Sequence, residues 1–345
     1  MERQTIHIFM NTANDIVNVE SVAIISILAN TLSKCHFHFL ENRELQLTEM
    51  QKMKLEDIKS KFPNFEYSIY TINPEKYKKF KQSTVKYIPE DTYFRYEIAD
   101  LVPEIDKAIY LDIDVICCCD IKELYNTDLK GNMLGAVRNE KGKYLDNNML
   151  KIITKCNLKD PSTYFNNGVL LMDLKAFREN NIKNKLEEKT LSMIETLDFA
   201  DQDIFNIVFE DSNIELHNKF NLYPNRIKDC NFTPAIIHCV GKDKPWNSYG
   251  IEKASDLFWK YAEISPFNKE IKELHKINLI NRRSKIYRTY SFLGIRIKLK
   301  SKDLINKYQV EENSYMENIF SIKNSKDRKY KILTLLGMKY RWKKH

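Results

Sequence analysis

The sequence predicts an α/β domain with a largely parallel sheet covered by helices, followed by a C-terminal extension of different character. Two observations carry the first part. Short apolar strands alternate with helical segments from the start of the chain, and one of these strands runs straight into a pair of carboxylates, at the strand end where open α/β sheets bind ligands. A third observation carries the extension. From Glu270 to His345 there are 20 Lys and Arg against 7 Asp and Glu, so this last stretch is basic enough to outweigh an acidic remainder and give the chain its net charge of +8.

The elements follow in order. Thr5 to Met10 reads as a short strand and Val17 to Leu32 as a buried helix. Cys35 to Leu40 repeats the strand pattern. Thr48, with Gln51 three residues on, is a capping pair that opens a polar helix to Lys61, and Glu66 to Thr71 is a third strand. Tyr93 to Leu101 reads as a helix stopped by Pro103, and Ala108 to Leu111 as a compact strand leading into Asp112-Ile113-Asp114. Gly168 to Met172 and Ala235 to His238 are further strands, with helices at Ile182 to Thr196 and Asp203 to Glu210 between them. Trp259 to Ile264 closes the domain, which we place at residues 1–265, with residues 266–345 as the extension.

Composition narrows the class. An apolar fraction of 43% with 30% charged residues in a 345-residue chain describes a globular protein rather than a disordered or collagenous one. Its 8 glycines form neither G-x-G-x-x-G nor a P-loop, so a nucleotide is not held by either device. The apolar stretch Val22 to Leu32 is too short to span a bilayer and is broken by Ser26 and Asn30. The opening Met1-Glu2-Arg3-Gln4 runs directly into a strand with no signal-peptide pattern, which gives a cytoplasmic expectation. The 7 cysteines form no C-x-x-C pair and read as reduced, small hydrophobes.

Three groups of residues can carry chemistry. In an extended chain the carboxylates of Asp112 and Asp114 share a face while Ile113 points to the core. Side by side they repel unless a cation lies between them, so they suit Mg²⁺ or Mn²⁺, and an added imidazole favours Mn²⁺. D-x-D is also a common triplet without a metal. His238 follows an apolar strand and precedes a turn with Gly241, Lys242 and Lys244, a set able to neutralise a diphosphate; a satisfied core histidine is the competing reading. Asp201-Gln202-Asp203 stands at a helix start, where Asp201 could simply be the cap.

Together these residues resemble glycosyltransferase family 8, the group of the bacterial lipopolysaccharide galactosyl- and glucosyltransferases and of glycogenin. The resemblance rests on four motifs in order: Lys107 to Asp114 (KAIYLDID), Tyr164 to Met172 (YFNNGVLLM), Asp201-Gln202-Asp203, and His238 to Trp246. It covers about three quarters of the chain. It implies a GT-A fold and a retaining, metal-dependent hexosyltransferase that moves glucose or galactose from a UDP-sugar to a saccharide acceptor in lipopolysaccharide or other surface glycan synthesis.

By position, the resemblance makes Asp112, Asp114 and His238 ligands of Mn²⁺, with Mg²⁺ the second choice, and puts Ile113 at the donor. It gives Gly241 and Lys244 to the diphosphate, Arg95 to the donor, Asn166 and Asp201 to the sugar hydroxyls, and Gln202 to the anomeric carbon. Where the family usually offers an acidic residue to the base, this chain reads Asn11-Thr12-Ala13-Asn14-Asp15, and Asn11, Thr12 and Asn14 are the expected partners of uracil.

The extension repeats itself: Tyr287 to Lys300 aligns with Tyr330 to Lys343, Gly294 and Gly337 falling 43 residues apart. Both copies end in apolar/basic alternation, which suits an anionic inner-leaflet surface, and the resemblance, through relatives whose acceptors are often lipid-linked saccharides, implies an enzyme peripheral on the inner face of the membrane. Ordinary edge strands are the plainer reading, and nucleic acid is not the expected partner. The alternatives in function are a metal-dependent phosphohydrolase or nucleotidyltransferase, which would want more carboxylates, a protein-glycosylating, glycogenin-like transferase, and a non-catalytic surface-binding protein.

Overall fold

The computed structural model describes residues 4–80, 90–139, 153–193, 195–196, 198–241, 244–247 and 252–284, together with five strands between 287 and 343. The chain divides into a compact unit, Met1–His275, and a second unit, Lys276–His345.

The first unit is built on a seven-stranded sheet of order β3-β2-β1-β4-β7-β6-β8. Strands β1 (Ile6–Thr12), β2 (Cys35–Asn42), β3 (Phe65–Ile72) and β4 (Lys107–Leu111) run parallel. Helix α1 (Val17–Leu28) connects the first two and α2 (Glu49–Lys61) the next, the latter opened by the expected Thr48/Gln51 capping box. Beyond β4 the sheet turns mixed. β7 (Phe165–Asp173) is antiparallel to both β4 and β6 (Leu134–Arg138), and β8 (Asn213–Glu215) pairs parallel with β6. A separate antiparallel pair, β5 (Val115–Cys117) with β9 (Ile236–His238), lies outside this sheet.

Alternation along each strand sends Ile6, Ile8 and Met10 into one apolar layer with α1, and Phe9 and Leu40 into another with Tyr93, Phe94 and Phe205. Expected and observed elements differ in several places. The segment expected as one helix to Leu101 is a 3₁₀ run, Glu90–Glu97, followed by the short α3 (Ile98–Leu101). Strands β6 and β8 carry no alternation strong enough to announce them. The helix at the third motif, α7 (Asp201–Val208), begins two residues early; α4 is Lys122–Tyr125, and α5 and α6 are Leu174–Glu179 and Ile182–Ser192. The last helices are α8 (Glu252–Ile264) and α9 (Asn268–Ser284), and Phe267 and Ile271 are still buried in the core of the first unit.

In the second unit each copy of the repeat is a hairpin. β10 (Tyr287–Phe292) pairs antiparallel with β11 (Ile295–Lys300), and β13 (Tyr330–Leu335) with β14 (Met338–Lys343), in matching register: Tyr287 faces Lys300 and Tyr330 faces Lys343. β12 (Phe320–Asn324) adds to the second hairpin along β13. The turn residues Leu293, Gly294, Leu336 and Gly337 lie outside the described residues.

One core residue on α1 is out of keeping with its surroundings. Glu20 is fully buried, accepts a 2.5 Å hydrogen bond from Thr12 on one oxygen, and has no partner for the other among the described residues. Burial pushes its pKa up from 4.5 to about 8 against the opposing pull of Thr12, so Glu20 is protonated at neutral pH. The folded state therefore holds a proton that the unfolded chain releases above about 4.5. Stability consequently falls as pH rises between these two values, by at most about 1.4 kcal/mol per pH unit from this group. Urea denaturation at pH 5, 6.5 and 8 should show this decline, and Glu20→Gln should flatten it.

Candidate active site

The site begins where β4 ends. Asp112 and Asp114 lie in the turn between Leu111 and Val115 rather than in extended chain, so the same-face argument does not apply as stated. They converge for another reason: β9 pairs with β5 so that Val115 faces His238, and the Cys239 N–H donates to the Asp114 carbonyl at 2.9 Å. His238 Nε2 then stands 3.1 Å from Asp114 Oδ1 and 3.6 Å from Asp112 Oδ2. One ligand atom from each of the three residues falls within 4.8 Å of the others, as a shared cation requires.

Two observations test whether the set fits a metal. His238 donates from Nδ1 to Asn221 Oδ1 at 2.9 Å, which fixes the ring's orientation and keeps Nε2 aimed at the carboxylates. A Cβ on Gly168 would stand 2.2 Å from the His238 ring and 2.6 Å from Asp112 Oδ2, so only glycine on β7 leaves the imidazole and carboxylate room to meet. The donor set, two carboxylates and one imidazole, suits Mn²⁺ or Mg²⁺. Burial pushes the Asp114 carboxyl up, but His238 and Lys244 more than reverse this and hold it below the ordinary carboxylate range.

The three residues line a cleft of about 650 Å³. Lys244 enters it with an ion pair to Asp114 and a 2.8 Å hydrogen bond to the Cys239 carbonyl. Gly241 lies at φ +85°, a backbone conformation that glycine adopts without penalty, and also lines the cleft. Lys242 and Asp243 lie outside the described residues. Ile113 is half-buried, packs on the core and still lines the cleft.

Arg95 is buried beneath the cleft floor and joins the two motifs. Its guanidinium lies 3.0 Å from Asp201 Oδ2 and 3.4 Å from Asp112 Oδ1, donates to the Asn167 carbonyl at 2.7 Å, and covers the Tyr110 ring at 4.1 Å. Asp201 also accepts from Thr92 and from Asn167, the latter at 2.6 Å. Burial raises its pKa to about 6 against these partners, so it is a carboxylate at neutral pH. Asp201 is the first residue of α7 rather than its cap. Ala200 precedes it at φ 52°, a conformation unusual for alanine, and the Asp203 carboxylate holds this corner by accepting the N–H groups of Asp198 at 2.9 Å and Phe199 at 2.8 Å.

Gln202 sits in a fully directed chain of hydrogen bonds. Asn221 donates to Asn166 at 3.0 Å, Asn166 donates to Gln202 Oε1 at 2.9 Å, Gln202 Nε2 donates to the Tyr164 oxygen at 2.9 Å, and Tyr164 donates to Asp203 at 2.6 Å. Since His238 donates to Asn221, the chain runs unbroken from the metal set to the third motif and fixes which way every amide in it faces.

The expected base-binding residues part company. Asn11 lines the cleft and donates to the Asp91 carbonyl at 2.8 Å, whereas Thr12 turns inward to Glu20 and neither Thr12 nor Asn14 lines the cleft. Asp91 itself does, half-buried, its carboxyl accepting from Asn42 at 2.8 Å and pushed up by burial. It supplies, from the 3₁₀ run, an acidic side chain to the cleft beside Asn11. Sequence reading passed over Asp91, Thr92, Asn167 and Asn221. Asn167 is within the quoted YFNNG motif, but Asn221 lies in a segment with no pattern to mark it.

With this geometry in view, comparison with known proteins places the chain. The model of glycosyl transferase family 8 matches residues 7–250, and the chain belongs to that family. Glycosyltransferase GlyF of Streptococcus pneumoniae is 30% identical over 203 residues, 56% of this chain and 46% of GlyF, so the chain spans under half of that relative. The crystal structure of the galactosyltransferase LgtC, with donor and acceptor sugar analogues, is similar with a TM-score of 0.63 and 24% identity over 74% of this chain and 96% of LgtC. That of S. pneumoniae GlyE is similar with a TM-score of 0.58 and 21% identity, over 79% of this chain and 64% of GlyE. The fold is GT-A.

If the Asn221 contact orients the His238 ring, Asn221→Ala should weaken metal affinity by about 10–100-fold while leaving the fold intact, as loss of such outer partners does elsewhere. Gly168→Ala should weaken it at least as much, since the ligands cannot then meet. Titration of Mn²⁺ by calorimetry or by EPR of the free ion checks both.

Proposed function

We infer that the chain is a metal-dependent, retaining hexosyltransferase that moves glucose or galactose from a UDP-sugar to a saccharide acceptor. The observation that carries this is the convergence of Asp112, Asp114 and His238 in one cleft with Asp201 and Gln202. Family membership supplies the reaction class, and the absence of further carboxylates around the three ligands among the described residues argues against a two-metal hydrolase.

A Mn²⁺ held by these three residues would supply electrostatic stabilisation to the diphosphate as it leaves. Lys244, beside Asp114, adds positive charge at the same end of the cleft. The C1–O bond of the donor breaks with its electron pair on the UDP phosphate, and the acceptor oxygen bonds C1 on the same face, passing its proton to that phosphate. Gln202 Oε1 is oriented by Asn166 and is a neutral oxygen, suited to stabilise the oxocarbenium-like sugar and poor as a nucleophile. Asp201 is held by Arg95, Thr92 and Asn167 and is thereby suited to gripping sugar hydroxyls rather than attacking C1.

The second unit supports a reading as an attachment surface for an anionic membrane face bearing a lipid-linked acceptor. Along β11 Arg296, Lys298 and Lys300 alternate with Ile295, Ile297 and Leu299, and along β14 Lys339, Arg341 and Lys343 alternate with Met338, Tyr340 and Trp342. No helix among the described residues is long and apolar enough to cross a membrane.

UDP release from a panel of UDP-sugars should require Mn²⁺ or Mg²⁺, stop with chelator, and fall by about 10²–10³-fold in Asp114→Asn, the scale on which loss of a catalytic electrostatic group acts. Turnover unaffected by chelator, or a sugar found covalently on Asp201 by mass spectrometry, would contradict the mechanism. The full-length chain should float with vesicles containing anionic lipid and do so less when Lys298 and Arg341 are both replaced by Glu. Equal flotation would remove the membrane reading.

A further inference from the structure

At the opposite end of the same strands three imidazoles meet. His36 and His38 are i and i+2 on β2 and so share one face of the sheet, and His7 on β1 is in direct register with His36. His7 Nδ1 lies 3.0 Å from His38 Nε2, and one ring nitrogen from each of the three falls within 4.8 Å of the others. We propose that His7, His36 and His38 form a second metal site, for Zn²⁺ or a neighbouring borderline ion such as Ni²⁺ or Co²⁺.

The ligand chemistry selects the ion. Three neutral imidazoles with no carboxylate among them suit Zn²⁺, Ni²⁺, Co²⁺ or Cu²⁺ and disfavour Mg²⁺ and Mn²⁺, the reverse of the preference in the cleft. Three histidines with a fourth position open to water is an established zinc arrangement.

The surroundings match. His38 is buried, and its Nδ1 lies 3.1 Å from the Tyr70 hydroxyl, which leaves Nε2 for a ligand bond. His36 Nε2 lies 2.9 Å from Ser68 Oγ, which leaves its Nδ1. Both partners come from β3, so the neighbouring strand supplies the outer contacts that orient metal-binding histidines. Burial and the neighbouring rings hold His7 down to about 4 and His38 down to about 3, so no proton competes for their lone pairs at neutral pH. Glu104 acts on His7 and His36 in the opposite sense and brings a negative charge to the site.

His36 and His38 stack with centroids 4.3 Å apart and planes at 15°. Parallel rings cannot both point at one ion, so ligation turns His36 about its Cβ–Cγ bond and exchanges stacking for a bond to metal. His36 is only half-buried, which leaves it room to turn. The site then clips β1 to β2, and its role is to brace the sheet whose other end carries the cleft.

Zn²⁺ titration of the full-length chain, with any affinity tag removed, tests this by native mass spectrometry and by thermal denaturation. The wild type should hold two Zn²⁺ per chain, His7→Asn and His36→Gln one each, Asp114→Asn one, and His7→Asn combined with Asp114→Asn none. Tyr70→Phe should weaken the histidine site about tenfold. Zn²⁺ should raise the melting temperature of Asp114→Asn and not that of the double variant. His36 is the least buried of the three, so His36→Gln serves should His7→Asn fail to fold. An Asp114→Asn chain that holds no Zn²⁺, or histidine variants with the wild-type stoichiometry, would overturn the proposal.

Discussion

The site depends on one short piece of backbone pairing, the antiparallel ladder between β5 and β9. It is three residues long on each side and lies outside the main sheet, yet it sets His238 opposite Val115 and so beside Asp114. It also delivers Lys244 to Asp114 across 130 residues of sequence. A shift of one residue in this register would turn His238 to the other face and leave two carboxylates facing each other without an imidazole. The pairing is buried on both sides, with Ile116, Ile236 and Ile237 in the core, so the apolar layer fixes the register.

From that point the site is held by hydrogen bonds whose directions agree. His238, Asn221, Asn166, Gln202, Tyr164 and Asp203 form one line, and each donor finds one acceptor. Such an arrangement has a single solution for every amide and for the imidazole, which is how neutral side chains acquire fixed dipoles inside a cleft. Arg95 does the same for the charged groups, lying between Asp112 and Asp201 so that neither carboxylate is buried without a counter-charge. Order in the residues that line the cleft is thus maintained in part from behind, by Asn221, Tyr164 and Asp203, which do not line it.

Much of this was legible in the residues. The β-α alternation announced the parallel half of the sheet because β1, β2 and β4 are largely buried and rich in apolar residues, while β3 at the edge is only half-buried and shows as aromatic/polar alternation. The antiparallel half was harder: β6 and β8 are short, and their partners come from distant sequence. Asp112, Asp114 and His238 could be named because a D-x-D after an apolar strand and a histidine before a glycine-bearing turn are patterns. Asn221 and Asp91 could not, since an outer hydrogen-bond partner needs only to arrive at the right place and leaves no local signature. Thr12 shows the converse: a polar residue at the expected position is turned inward by Glu20, a partner that only the fold reveals.

Pulsed EPR of Mn²⁺ bound to the full-length chain with UDP tests the central claim most directly, because it reads the ligands rather than the activity. The account predicts nitrogen modulation from one imidazole, together with phosphorus coupling from the diphosphate, and loss of the nitrogen signal in His238→Asn. Mn²⁺ that binds with phosphorus coupling and no nitrogen, or the same nitrogen signal in wild type and His238→Asn, would contradict it.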